Sequence, residues 1–207
     1  SAISYICPDM TREHIIYSAS RQYLEGDVQH WWHPYVNSGI RTRFSDDLLW
    51  MPYVVEDYIK NTGDFGILTE EVCYLKDSEL KEGENERYGI SPVSAEKGTI
   101  YEHCVKAIER SSKFGPHNLP LMGSGDWNDG MNTVGNKGKG ESVWLGWFLY
   151  DILDKFIPLC KFMNDDEKML KYSRLKDFVK ENIDKNAWDG SWYRRAYFDD
   201  GTPLGSV

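Results

Sequence analysis

The stretch ESVWLGWFLYDILDKFI, residues 141–157, limits most strongly what this chain can fold into. Trp144, Phe148, Ile152 and Phe156 form one row at a spacing of four. Leu145, Leu149, Leu153 and Ile157 form the next row. Residues four apart share a helix face, so the spacing predicts a long helix opening at Glu141. Its apolar face is too wide for a surface position and must be buried on most sides.

Further helices are predicted to bury it. One runs from about Thr11, as N-cap, to Leu24, with Ile15, Ile16, Ala19 and Tyr23 in its apolar row. A second spans about Asp47 to Lys60, with Pro52 near its first turn. A third starts at a Thr99–Glu102 capping box and ends at Gly115–Pro116. A last one runs from about Asp165 to Ile183, with Met169, Leu170, Leu175, Phe178 and Val179 inward. The segment 26–47 reads as a polar and aromatic loop, and residues 76–98 read as a charged surface excursion. SWYRRAYF, residues 191–198, is strand-like and suits a hairpin arm. There is no strand–helix–strand alternation, which disfavours parallel-sheet architectures. The expected fold class is all-α, with polar clusters confined to the loops between helices.

Composition narrows the function. The 207 residues are 41% hydrophobic and 28% charged, an ordinary globular balance. A net charge of -9 argues against a nucleic-acid partner, which requires a basic footprint. It also argues against adsorption to an anionic membrane, and no apolar run of about eighteen residues is visible. The expected location is cytoplasmic. Cys7, Cys73, Cys104 and Cys160 are far apart and read as free thiols. The five histidines fit no metal pattern, so no metal is expected. Eight Trp and thirteen Tyr suit either large core side chains or the stacking of sugar rings on aromatic faces.

Three clusters carry candidate chemistry. GNKGKGES, residues 135–142, lacks the spacing and preceding strand of a nucleotide phosphate loop. Its backbone amides could still help hold an anion. RTRFSDD, residues 41–47, brings Arg41 and Arg43 close to Asp46 and Asp47. It suits a self-satisfied salt-bridge cluster at a helix N-terminus, or a donor–acceptor array for sugar hydroxyls. GSGDWNDGMN, residues 123–132, sets Trp127 between Asp126 and Asp129. A proton donor to a glycosidic oxygen must be a carboxylic acid held partly dry, and an indole is an apolar wall. Spacing does not say which Asp is the acid. An Asx-turn loop would explain the polar residues but not the tryptophan.

Taken together, LPLMGSGDWNDGMNTVGNKGKGESVWLGWFL, QHWWHPYVNSGIRTRFSDDLLWMPYVVEDYIKNTGD, YEHCVKAIERSSKFG and WYRRAYFDDGTPLGS resemble the glycoside hydrolase family 94 phosphorylases and the C-terminal region of cyclic β-1,2-glucan synthases. The resemblance runs from about residue 26 to the end, with details closer to the β-1,2-glucan members than to the cellobiose phosphorylases. It implies an (α/α)6 barrel and inverting phosphorolysis of a β-glucoside to α-glucose 1-phosphate. It places the general acid on Asp129 and a sugar-subsite wall on Trp127. Sugar-hydroxyl contacts fall on Arg41 and Asp47. Asp46, Asp126 and Trp32, in the HWWHP stretch, are further substrate-binding candidates. Inorganic phosphate is a co-substrate, with no other cofactor. The partners implied are a β-glucan oligosaccharide and phosphate. Five helices against about twelve in such a barrel make residues 1–207 a partial catalytic domain, truncated at the C-terminal end. The missing half would belong to a longer protein or to another copy of the chain. Alternatives are an inverting hydrolase on the same barrel and an inactive sugar-binding fragment of a glucan synthase.

Overall fold

The computed structural model describes residues 2–205. Among these residues the contacts separate into two compact units, one of residues 2–42 and 47–110, the other of residues 43–46 and 111–205.

The first unit opens with α1 (Ala2–Ile6) and α2 (Pro8–Ala19). α2 begins before the expected N-cap. Pro8 starts it without loss, because the first helical N–H is unpaired in any case. Thr11 lies buried within it, and Ile15 and Ala19 face inward as expected. The expected loop after Gly26 is instead a hairpin, β1 (Gln29–His33) and β2 (Ser38–Thr42). Every residue of β2 is buried, so the alternation that betrays a half-exposed strand is absent. A 3-10 turn at Asp47–Leu49 leads into α3 (Trp50–Thr62), with Pro52 in its first turn and Gly63 ending it at φ 72°. β3 (Glu71–Leu75), β4 (Glu86–Gly89) and β5 (Val93–Thr99) follow, the last two inside the expected surface excursion. β4 joins β2, and β5 pairs with β3. α4 (Ile100–Ser111) carries the capping box: Glu102 N–H donates to Thr99 Oγ1 at 3.2 Å and Thr99 N–H to Glu102 Oε2 at 2.7 Å. It stops at Ser111, four residues before Gly115.

The second unit is built on α5 (Val143–Phe162), the double-row helix. β6 (Glu141–Ser142) precedes it, and Ser142 Oγ caps it by accepting the Leu145 N–H at 3.0 Å. α6 (Asp166–Asn182), N-capped by Asp165, folds back on α5. Tyr172 and Val179 are its buried apolar residues, whereas Leu170 is exposed. A π-turn at Ile183–Ala187 leads to the expected hairpin, β7 (Ala196–Tyr197) and β8 (Pro203–Leu204), with β7 paired to β6. Helices hold much of the core, but three small antiparallel sheets correct the all-α expectation.

His103 shows how tightly the first unit is packed. It is fully buried and stacked on Tyr74, with ring centroids 4.1 Å apart. Nδ1 lies 2.6 Å from Gln22 Oε1, and Nε2 lies 3.1 Å from the Val72 carbonyl. Two acceptors would suit a charged ring, but burial outweighs them and pushes the pKa down to about 4. A histidine in the unfolded chain titrates near 6.5. Stability from the neutral ring is therefore full above pH 6.5 and is lost as pH falls towards 4. Denaturant titrations across this window should show a loss of about 3 kcal/mol from this group, and His103→Gln should flatten that slope.

Candidate active site

The GSGDWNDGMN loop lies in the second unit. Its glycines are there because another segment runs against it. Phe44 bridges Gly123 and Gly125, and the Ser124 N–H donates to the Arg43 carbonyl at 3.1 Å. Gly123 has φ 65°, and a Cβ there would sit 2.0 Å from the Arg43 carbonyl oxygen. A Cβ on Gly125 would sit 2.4 Å from the Phe44 ring. No other residue fits either position.

The two aspartates of DWND have opposite surroundings. Asp126 is 0% exposed. Its Oδ1 accepts from Arg195 Nη2 at 2.6 Å and from the Asn128 N–H at 3.2 Å. Its Oδ2 accepts from Ser142 Oγ at 2.6 Å. Ser142 also caps α5, so the loop, the helix start and the hairpin meet at one carboxylate. Asn128 repeats the Asx turn, its Oδ1 accepting the Gly130 N–H at 3.0 Å. This turns the chain outward into a 3-10 turn at Asp129–Met131. Asp129 is exposed, and among the described residues its carboxylate has no hydrogen-bond or ion-pair partner. Trp127 is 54% exposed, with its ring centroid 6.1 Å from that of Trp144, which stands 5.1 Å from Phe148. Asx turns therefore explain Asp126 and Asn128 but not Asp129, and the aromatic row explains the tryptophan.

The other candidates are distributed between the units. Asp46 is buried in the second. Arg41, Asp47 and Trp32 belong to the first. Arg41 is 2% exposed, and all five of its N–H groups are engaged. Nε and Nη2 grip Asp27 at 2.6 and 2.7 Å, Nη2 also reaches Glu25 at 3.0 Å, and Nη1 donates to the carbonyls of Asp77 and Ser78. The Asp27 and Glu25 contacts hold its pKa above the ordinary value despite burial, the largest single influence, which lowers it. Its ion-pair partners are thus Asp27 and Glu25, not the neighbouring Asp46 or Asp47 of the same motif. Asp47 holds His30 instead, with Nδ1 2.9 and 3.0 Å from its two oxygens. Trp32 is half-buried, edge-on to Tyr17 at 5.6 Å.

The expectation missed Arg195 and Ser142. The available signal was the paired arginine in an otherwise aromatic strand-like stretch, and a serine just ahead of the widest apolar helix. Among the described residues there is no group of three or more His, Cys, Asp or Glu placed to hold a metal ion. The four cysteines are free thiols, and no described helix is long and apolar enough to cross a membrane.

The family model of the glycosyl hydrolase 94 superfamily catalytic domain matches residues 1–207. The chain belongs to this family. It is 42% identical over 201 residues to the cyclic beta-(1,2)-glucan synthase NdvB of Rhizobium meliloti (strain 1021), covering 97% of this chain and 7% of that protein. It is 34% identical over 207 residues to the solabiose phosphorylase of Paenibacillus borealis, covering 99% of this chain and 24% of that enzyme. It is 28% identical over 155 residues to the 1,2-beta-oligoglucan phosphorylase of Listeria innocua serovar 6a, covering 72% and 13%. This glycosyl hydrolase 94 chain thus spans a quarter or less of the length of these three relatives.

The contrast between Asp126 and Asp129 can be measured directly. Asp126→Ala leaves Arg195 and Ser142 without their shared acceptor and should cost about 3–5 kcal/mol in denaturant unfolding. Asp129→Asn, on the exposed side, should stay within about 0.5 kcal/mol of the parent.

Proposed function

We propose that this chain is the acid-bearing part of the catalytic domain of a β-glucoside phosphorylase. The reaction is inverting phosphorolysis, with α-glucose 1-phosphate as product. The observation that carries the reading is the division of roles in DWND: Asp126 is consumed by the architecture, and Asp129, two residues from an exposed indole, is left without a partner among the described residues. Asp129 protonates the leaving glycosidic oxygen as the C–O bond breaks, and a phosphate oxygen forms the new bond at the anomeric carbon from the opposite face. Phosphate takes the place of water, so a second carboxylate is not required as base. A bound sugar beside Trp127 would exclude water from the exposed loop that carries Asp129.

Family membership supports an (α/α)6 barrel, and an α5–α6 hairpin is a unit of the kind such a barrel repeats. The names of two relatives support β-1,2-glucooligosaccharides as the substrate class. The resemblance assigns sugar hydroxyls to Arg41 and Asp47. Asp47 retains free lone pairs for this. Arg41 would have to exchange its contact with Glu25, the more exposed of its two carboxylate partners, for a hydroxyl. Free thiols on all four cysteines support a cytoplasmic location.

The assay is phosphate release from α-glucose 1-phosphate with a glucose or sophorose acceptor, in the parent protein that contains this chain. Acceptor-dependent release should fall by about a hundredfold or more in Asp129→Asn. Equal sugar cleavage with and without phosphate would point to a hydrolase and overturn the reading.

A further inference from the structure

The glycine stretch 135–140 follows the candidate loop, and its amides are occupied by the chain itself. The Lys137 N–H donates to Asp199 Oδ2 at 3.0 Å. The Lys139 and Gly140 N–H groups donate to Asp199 Oδ1 at 2.8 and 2.9 Å. Three backbone amides converging on one anion form a nest, here filled by a carboxylate about sixty residues further along the chain. The Asp199 N–H in turn donates to the Val134 carbonyl at 2.9 Å. A single residue therefore fastens both the end of the loop and the stretch that follows it.

The constraint reaches the start of the loop as well. The Gly140 carbonyl accepts the Met122 N–H at 2.9 Å, and Met122 immediately precedes Gly123. A Cβ on Gly140 would lie 2.3 Å from the Val134 carbonyl oxygen, so the two ends of the loop are held in close contact. Met122 and Val134 share one small buried cluster with Ala196 of β7, with Met131 packed beside it. Asp129 has no partner of its own among the described residues, so its position depends on this base.

We propose that Asp199 is a positioning residue for the loop that carries Trp127 and Asp129. The hairpin that contains it grips this loop twice, Arg195 at Asp126 and Asp199 at Val134 and the glycine stretch. The catalytic consequence rests on the reading of Asp129 as the acid; the mechanical one does not. An acid displaced by about 1 Å loses on the order of a hundredfold in rate, so a clamp remote in sequence can govern turnover without touching substrate.

Amide hydrogen exchange on this chain tests the clamp, comparing Asp199→Ala and Asp199→Asn with the parent. Asn keeps one acceptor oxygen for Lys139 and Gly140 and loses the bond to Lys137. In Asp199→Ala, exchange at 137–140 should accelerate about tenfold or more, and the acceleration should spread to the hydrogen-bonded amides of Asn128, Gly130 and Met131. Core amides of α5 should be unchanged, and Asn should lie between. Acceleration confined to 137–140 would overturn the proposal, because the loop would then hold itself. If Ala loses α5 protection and so fails to fold, Asn is judged by the same comparison. In the parent enzyme, kcat should fall by about tenfold or more, with a smaller change in KM and partial recovery in Asn. An unchanged kcat would remove the catalytic consequence. A parent enzyme with no phosphorolysis at all would count against the proposed reaction, while exchange would still decide the clamp.

Discussion

A carboxylate cut off from water is tolerated only when charge and hydrogen bonds surround it. In the second unit Asp126 is such a carboxylate, and the structure around it follows from satisfying it. Arg195 must come from the terminal hairpin, which fixes where that hairpin lies. Ser142 must donate to it, which fixes the first turn of α5, because the same hydroxyl oxygen accepts the Leu145 N–H. The Asn128 amide must turn towards it, which sends the next residues outward. α5 then has a defined start, and its broad apolar face determines how α6 packs against it.

The first unit uses the same device with the charges exchanged. Arg41 is the buried ion, Asp27 and Glu25 are its counter-charges, and its guanidinium carbon stands 3.9 Å from the Tyr23 ring centroid. In both units, therefore, the most conspicuous charged motif contains a residue used to hold backbone segments together. Richness in charge does not distinguish such a residue from one that meets a ligand. Accessibility does.

How much was legible from the sequence follows from this. The α5 rows, the Thr99–Glu102 box and the terminal hairpin were readable, because each rests on contacts close in sequence. β1 and β2 were not, since β2 is buried on both sides and shows no alternation. Leu170 was assigned inward by hydrophobicity, but the face of α6 that meets α5 is set by Tyr172 and Val179. At the site, DWND stood out by composition. The separate roles of Asp126 and Asp129 did not, because the partner of Asp126 lies 69 residues away. Motif resemblance pointed to Asp129, and the structure leaves that side chain exposed while Asp126 is buried.

The close approach of Phe44 to Gly123 and Gly125 has an evolutionary consequence. Inward positions of the loop are sterically saturated, so nearly any substitution there is penalised by shape alone. Outward positions such as Asn132 and Thr133 are exposed and carry no such restriction. A loop of this construction can exchange the side chains it offers to a ligand while inheriting its backbone unchanged. Ligand preference can drift on it without the fold having to be rediscovered.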